Sequence, residues 1–250
     1  MRTRIRSPPV NHPLLASPPA ATSPRRSPSP PVTPATPANE FASGGREIAK
    51  WLALVLMTLD HANKVLWGGV FEWMADASRI VFPIFAFVLA YNLFARYSAD
   101  KFNRSFRTML IAGFVAQPFH AAAFGYWIPG NIMFTLAAGV LVAEACLKGG
   151  YFWAAVLFVI AGAVVDYLWF GVAVVASACW FVYRPSMVSM VVGVIAVNTL
   201  TLVNGSLWAL LALPVLWLVS KLHVHVPRHR WLFVGYYVAH LVILAAVAHG

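Results

Sequence analysis

From Glu47 to the C-terminus the chain is a succession of apolar runs, and its polar residues are confined mostly to short gaps between them. A helix that crosses the hydrocarbon core of a bilayer needs about 20 largely apolar residues. The pattern therefore predicts helices near 47–67, 77–97, 107–125, 131–147, 151–166, 168–183, 186–203, 206–221 and 231–248. The expected architecture is all-α, a polytopic transmembrane bundle of nine helices. Its least marked boundary falls inside 151–183, where the break rests on Asp166, Tyr167 and Gly171. Residues 1–45 follow another pattern: they hold eleven of the 17 prolines, interspersed with Ser, Thr, Ala and Arg. Such a segment buries too little apolar surface to offset its ordering entropy and is expected to be a disordered tail. Its arginines are not followed by the compact apolar core of a signal peptide.

Composition sharpens the membrane reading. Hydrophobic residues make up 60% of the 250, charged residues 10%, and mean hydropathy is +0.73, whereas soluble domains are about 45–50% apolar. The formal net charge of +10 would suggest nucleic acid in a soluble protein, but placement excludes it. With the N-terminus in the cytoplasm, the cytoplasmic gaps hold Arg96, Lys101, Arg104 and Arg107, then Lys148, Arg184, Lys221, Arg228 and Arg230. Opposite them are only Lys64 and Arg79. This is the positive-inside asymmetry. Merging 151–183 into one span would reverse every later loop, so the charges favour the split. Cys146 and Cys179 lie in apolar runs without metal-ligand spacing and are expected to be buried free thiols.

Ionisable groups inside a membrane helix cost at least about 2.5–3.5 kcal/mol each on insertion scales, which makes them candidates for function. Asp60 and His61 follow nine uncharged residues in the first helix and fall in the outer half of the bilayer. Adjacent helix residues project about 100° apart, so one can brace a neighbour while the other faces a cavity. Arg79 stands at the outer entrance of the second helix, free to pair with Asp60 or Asp76 or to bind an anion, and Pro83 is expected to bend that helix. Asn131 follows Pro129-Gly130 as a candidate N-cap, with Thr135 one turn deeper. Glu144 is four residues from Lys148, a spacing for a helical ion pair. Asp166-Tyr167 marks an outer boundary within reach of Arg79 or Lys64, and His240 lies near mid-membrane in the last helix. His223, His225 and His229 share a basic cytoplasmic loop that suits headgroups or an anionic cosubstrate better than a metal. Asp60, His61, Arg79, Asn131, Asp166 and His240 come from separate helices at one depth, which suggests one site.

Three blocks resemble the TraX family of bacterial membrane proteins, associated with acetylation of conjugative F pilin. They are Met57-Thr58-Leu59-Asp60-His61, the arginine-led block Arg79-Ile80-Val81-Phe82-Pro83-Ile84-Phe85-Ala86-Phe87, and Asn131-Ile132-Met133-Phe134-Thr135-Leu136. Asp166-Tyr167 with Gly171, and Tyr236-Tyr237 with His240-Leu241, are weaker echoes, Val238 standing where the family often has proline. The resemblance covers about residues 47–245 and implies an acetyltransferase of the bacterial inner membrane. Acetyl-CoA would dock from the cytoplasm against Arg96, Arg104, Arg107 or Arg228, whose guanidinium groups suit phosphates. His61 is the expected general base or acyl carrier, oriented by Asp60; Arg79, Asn131 or His240 would stabilise the oxyanion. Thr135, Asp166 and Tyr167 complete the expected substrate site. The acceptor would arrive from the outer face, as a pilin N-terminal amine or an envelope sugar. A proton-coupled transporter using Asp60, His61 and His240 as a relay is the rival expectation, and a noncatalytic assembly protein is a third.

Overall fold

Each apolar run folds as one helix or a closely linked pair, giving eleven α-helices and one 3₁₀ turn among the described residues of the computed structural model, 41–227 and 231–249. The first helix, α1 (Ser43–Trp67), starts earlier than expected. Phe41 and the Gly44–Glu47 turn are buried, so Phe41–Gly45 belong to the bundle. The rest of the expected tail lies outside the described residues, as do Arg228, His229 and Arg230. Gly68, in the left-handed conformation at φ 61°, ends α1.

The expected helix 77–97 is a bent pair, α2 (Glu72–Ser78) and α3 (Val81–Phe94). The break at Arg79–Ile80 stands where Pro83 is expected to act: a proline there has no N–H for the carbonyl of Arg79, four residues before, and its ring crowds that carbonyl. α4 (Ala99–Phe124) begins eight residues before the position expected, 99 against 107. Lys101 and Arg104, read from sequence as loop, continue the helix instead. Its 26 residues span about 39 Å at 1.5 Å each, longer than the roughly 30 Å hydrocarbon core, so its charged first turns can stand outside the apolar layer.

α5 (Ile132–Leu147), α6 (Tyr151–Gly162) and α7 (Leu168–Tyr183) follow, with the 151–183 region divided as the charges required. α8 (Met187–Thr199) and the short α9 (Thr201–Asn204) replace one expected helix. A 3₁₀ turn (Trp208–Leu211) leads into α10 (Ala212–Ser220), and α11 (Leu232–His249) closes the chain. The core is built on α1, α3, α4, α5, α7 and α11 around fully buried residues such as Ile84, Phe94, Phe102, Val140 and Leu241. Residues 72–94, 187–204 and 232–249 are long and apolar enough to cross a membrane, and four further apolar helices are shorter. The outer faces of α6 and α8 expose Phe152, Trp153, Ile160, Met187, Val188 and Ile195 by more than half. Apolar helices with apolar outward faces are those of a membrane protein.

Two details place the site. α5 and α7 approach closely at Gly171, where an added Cβ would meet Thr135 Cγ2 at 2.7 Å. The loop before α5 is tied to the α6–α7 turn: Gly130 N donates to Val164 O at 2.7 Å, and Asp166 N donates to Gly130 O at 2.8 Å. In that turn Tyr167 and Leu168 take φ 58° and 52°. Two successive non-glycine residues in the left-handed region store strain, a condition concentrated at functional sites.

Candidate functional site

His61 is held by another histidine, not by Asp60. Its Nδ1 lies 2.9 Å from His240 Nε2 across the α1–α11 interface, with the ring planes 16° apart. The direction of this bond follows from a second one. His240 Nδ1 is 3.1 Å from the carbonyl oxygen of Tyr236, and a carbonyl only accepts. Neutral His240 therefore carries its proton on Nδ1 and accepts at Nε2. His61 must then donate from Nδ1, which leaves its Nε2 lone pair unprotonated. The Tyr236 ring lies nearly parallel to His240, at 5.6 Å and 9°. Its hydroxyl bonds Thr58 Oγ1 at 2.9 Å, fixing α11 against α1 one turn before His61. The relay carbonyl–His240–His61 has the form in which a base is oriented by a third group.

Asp60 faces elsewhere. Lys64 Nζ donates to its Oδ2 at 2.6 Å, one helical turn on, while its Oδ1 is buried without a partner. The expectation that Asp60 orients His61 is thereby corrected: adjacent residues on a helix point apart, and the nearer partner comes from α11.

Asp60 and His61 line a cavity of about 230 Å³ that also meets Asp166, Tyr167 and His120. Lys50, Asn92 and Phe233 line its other end. Lys50 and His61 are eleven residues apart on α1, or about 16 Å along its axis, so the cavity is a narrow passage rather than a bowl. The walls between are apolar, among them Leu54, Phe85 and Leu89. Lys50 Nζ is paired with Glu47 at 2.7 Å and sits over the Phe233 ring at 4.3 Å. His120 was not singled out in the sequence, where it and Gln117 are the two polar residues late in α4. Its ring meets Phe124, as the His61 ring does, at 5.0 and 5.1 Å, and its Nδ1 is buried without a partner. Tyr167 stacks on Phe82 at 4.6 Å and 9°.

The remaining expected residues divide. Asn131 is fully buried and its polar atoms are committed: Oδ1 accepts from Met133 N as the N-cap of α5, and Nδ2 donates to Gly113 O and Gln117 Oε1. Thr135 donates to the Asp166 carbonyl at 2.8 Å. Both frame the site rather than line its cavity. Arg79 pairs with neither Asp60 nor Asp76; its Nη1 donates to Asn204 Oδ1 at 3.1 Å. Arg96, Arg104 and Arg107 are exposed around the α3–α4 turn, the end of the bundle where Lys50 and Asn92 open the cavity. Nearby, Glu144 takes its expected pair with Lys148 at 2.9 Å and a hydrogen bond from the Tyr97 hydroxyl at 2.7 Å. Partial burial and that carboxylate push the Tyr97 phenol up to about 12, so it remains a donor. Cys179 is a buried thiol as expected, but Cys146 is exposed. Among the described residues no group of three or more His, Cys, Asp or Glu side chains is placed to hold a metal.

The chain is 36% identical over 124 residues to Protein TraX of Escherichia coli, covering 48% of each. It is likewise 36% identical over 122 residues to Protein TraX of strain K12, again 48% of each. It thus spans about half the length of the curated relatives it matches. No solved structure matches. The sequence profile of the TraX protein matches residues 45–248, all of α1 to α11 but a residue at the C-terminus and two at the start. The chain belongs to the TraX family.

Proposed function

We propose that this protein transfers an acetyl group from acetyl-CoA to an amine or hydroxyl, with His61 as general base. The observation that carries the reading is the His61–His240 bond at the end of a passage about 16 Å long. His61, whose Nε2 is left unprotonated by that bond, lines a cavity whose walls are largely apolar. At about 230 Å³ the passage falls below the roughly 300–1,000 Å³ of a pocket for a drug-sized ligand. That volume suits a slim flexible arm such as pantetheine and is too small for a nucleotide. The nucleotide would stay outside, where Lys50, Arg96, Arg104 and Arg107 offer cations to its phosphates.

In the proposed step the acceptor N–H or O–H lies against His61 Nε2. His61 removes its proton as the acceptor atom bonds to the thioester carbonyl carbon. The carbon–sulfur bond then breaks, and His61 returns the proton to the departing thiolate. His240 stabilises the imidazolium in between by accepting from its Nδ1–H, while its own proton stays on its Nδ1, donated to the Tyr236 carbonyl. The unpartnered Asp60 Oδ1 and His120 Nδ1 face the same region and suit the orientation of an amine.

The proposed setting is the bacterial inner membrane, crossed several times, with the N-terminus of α1 and the α3–α4 turn in the cytoplasm. The donor then enters from the cytoplasm and the acceptor, a pilin N-terminus or an envelope sugar, from outside. The test is release of CoA and label transfer by purified protein supplied with labelled acetyl-CoA and an amine acceptor. Wild-type activity in His61→Ala overturns the reading, as does pH-driven solute flux that needs no acetyl-CoA.

A further inference from the structure

Arg79 sits in the break between α2 and α3 with no carboxylate at ion-pairing distance among the described residues. An arginine that snorkels to a membrane surface keeps its nitrogens in water. Here Nε is buried and has no partner, while Nη1 is held by Asn204 Oδ1 at 3.1 Å. That bond turns the amide of Asn204 so that Nδ2 is left to donate, and Nδ2 too is buried without a partner. Two residues on, past the left-handed Gly205 that ends α9, Ser206 Oγ is a third buried and unpartnered polar atom. Buried polar groups are nearly always bonded, so three on neighbouring residues need an explanation. Each is a hydrogen-bond donor, and one is carried by a permanent cation. The Tyr167 hydroxyl lies beside the same guanidinium, which connects this end of the bundle to the wall of the cavity.

We infer that Arg79, Asn204 and Ser206 form a binding site for an oxyanion, a phosphate, sulfate or carboxylate, distinct from the His61 cavity. The forked guanidinium, the Asn204 amide bonded to it and the Ser206 hydroxyl two residues further along the chain supply donors for the several acceptor oxygens of such a group. The oxyanion can be borne by a soluble molecule or by a lipid headgroup; the chemistry recognised is the same. The site does not depend on acetyl transfer, and it is read without acetyl-CoA.

The experiment is equilibrium dialysis of labelled sulfate against the full chain in a maltoside micelle, which brings no anion of its own. Saturable binding near one sulfate per chain, displaced by inorganic phosphate, is expected. Arg79→Gln is expected to weaken it roughly ten- to a hundredfold, the effect of losing a charge-assisted hydrogen bond. Ser206→Ala and Asn204→Ser each remove one donor and are expected to weaken it several-fold; they decide the matter if Arg79→Gln fails to fold. Displacement of sulfate by phosphatidylglycerol added to the micelle assigns the site to a headgroup, and indifference to the lipid assigns it to a soluble anion. Absence of saturable binding in the wild type, or equal binding by the folded variants, overturns the inference.

Discussion

Replacing His240 tests the relay most directly, because it leaves His61 in place. In His240→Leu the Nε2 acceptor 2.9 Å from His61 is gone. Two consequences follow from the geometry. His61 Nδ1–H is left buried in an apolar interface, a loss of about 1–3 kcal/mol in stability. The imidazole also loses the bond that selects its tautomer, and the imidazolium formed in the reaction loses its acceptor. A positioned general base contributes roughly 10²–10⁴ in rate. Removing His61 itself should cost that full factor, and removing its support a part of it, about 10–100-fold, or roughly 1.4–2.7 kcal/mol of barrier. His240→Gln is the informative companion. Its side-chain carbonyl can accept from His61 Nδ1–H, so activity is expected to recover part of the way. The assay is CoA release from acetyl-CoA with an amine acceptor, at saturating concentrations of both, on protein whose thermal melt shows it folded. The expected order is wild type, then His240→Gln, His240→Leu and His61→Ala. A folded His240→Leu with the wild-type turnover refutes the relay, whatever the fate of His61→Ala.

The other sites give distinct signatures. Asp60→Asn removes the partner of Lys64 but not that of His61, so turnover should fall by less than about tenfold, under roughly 1.4 kcal/mol, while the KM for an amine acceptor rises; a fall in turnover as large as that of His240→Leu would restore Asp60 as the orienting group. Asn131→Ala loses an N-cap and two buried bonds to α4, and should lower stability by about 2 kcal/mol or more, seen as a lower melting temperature with KM unchanged in the surviving fold. Leu89→Trp fills the apolar middle of the passage and should raise the KM for acetyl-CoA without altering sulfate binding at Arg79. Gly171→Ala places a Cβ against Thr135 and should cost about 1–3 kcal/mol of stability by overpacking.

What the sequence made legible, and what it hid, divides along the range of the interactions. Helix existence was written in apolar run length, and the divided 151–183 region in the sides on which Arg184 and Lys221 would fall. Helix ends were not, because a helix carries charged residues past the membrane without a change of geometry: Lys101 and Arg104 look like loop and extend α4. Asn131 was legible as a cap because capping is local, two residues from donor to acceptor. His61 was legible as a candidate because an ionisable group in an apolar run is costly wherever it sits. Its partner was not. Asp60 is its neighbour in sequence, but His240, 179 positions away, is its neighbour in space. Nothing in the local pattern ranks the two. His120 was missed for the same reason, since only the packing of α4 against α11, with Phe124 against the His61 ring, makes this polar residue a wall of the cavity. The family blocks point the same way. Two of them begin at Met57 and Arg79, 20 or so residues apart in sequence: the first ends on the His61 cavity, and the second starts at a guanidinium held by Asn204 from α9 and sends Phe82 and Phe85 to the wall of that same cavity. A block that reads as one motif can therefore join two binding tasks, and the variants of His240 and of Arg79 separate them, since each is read by an assay the other should leave unmoved.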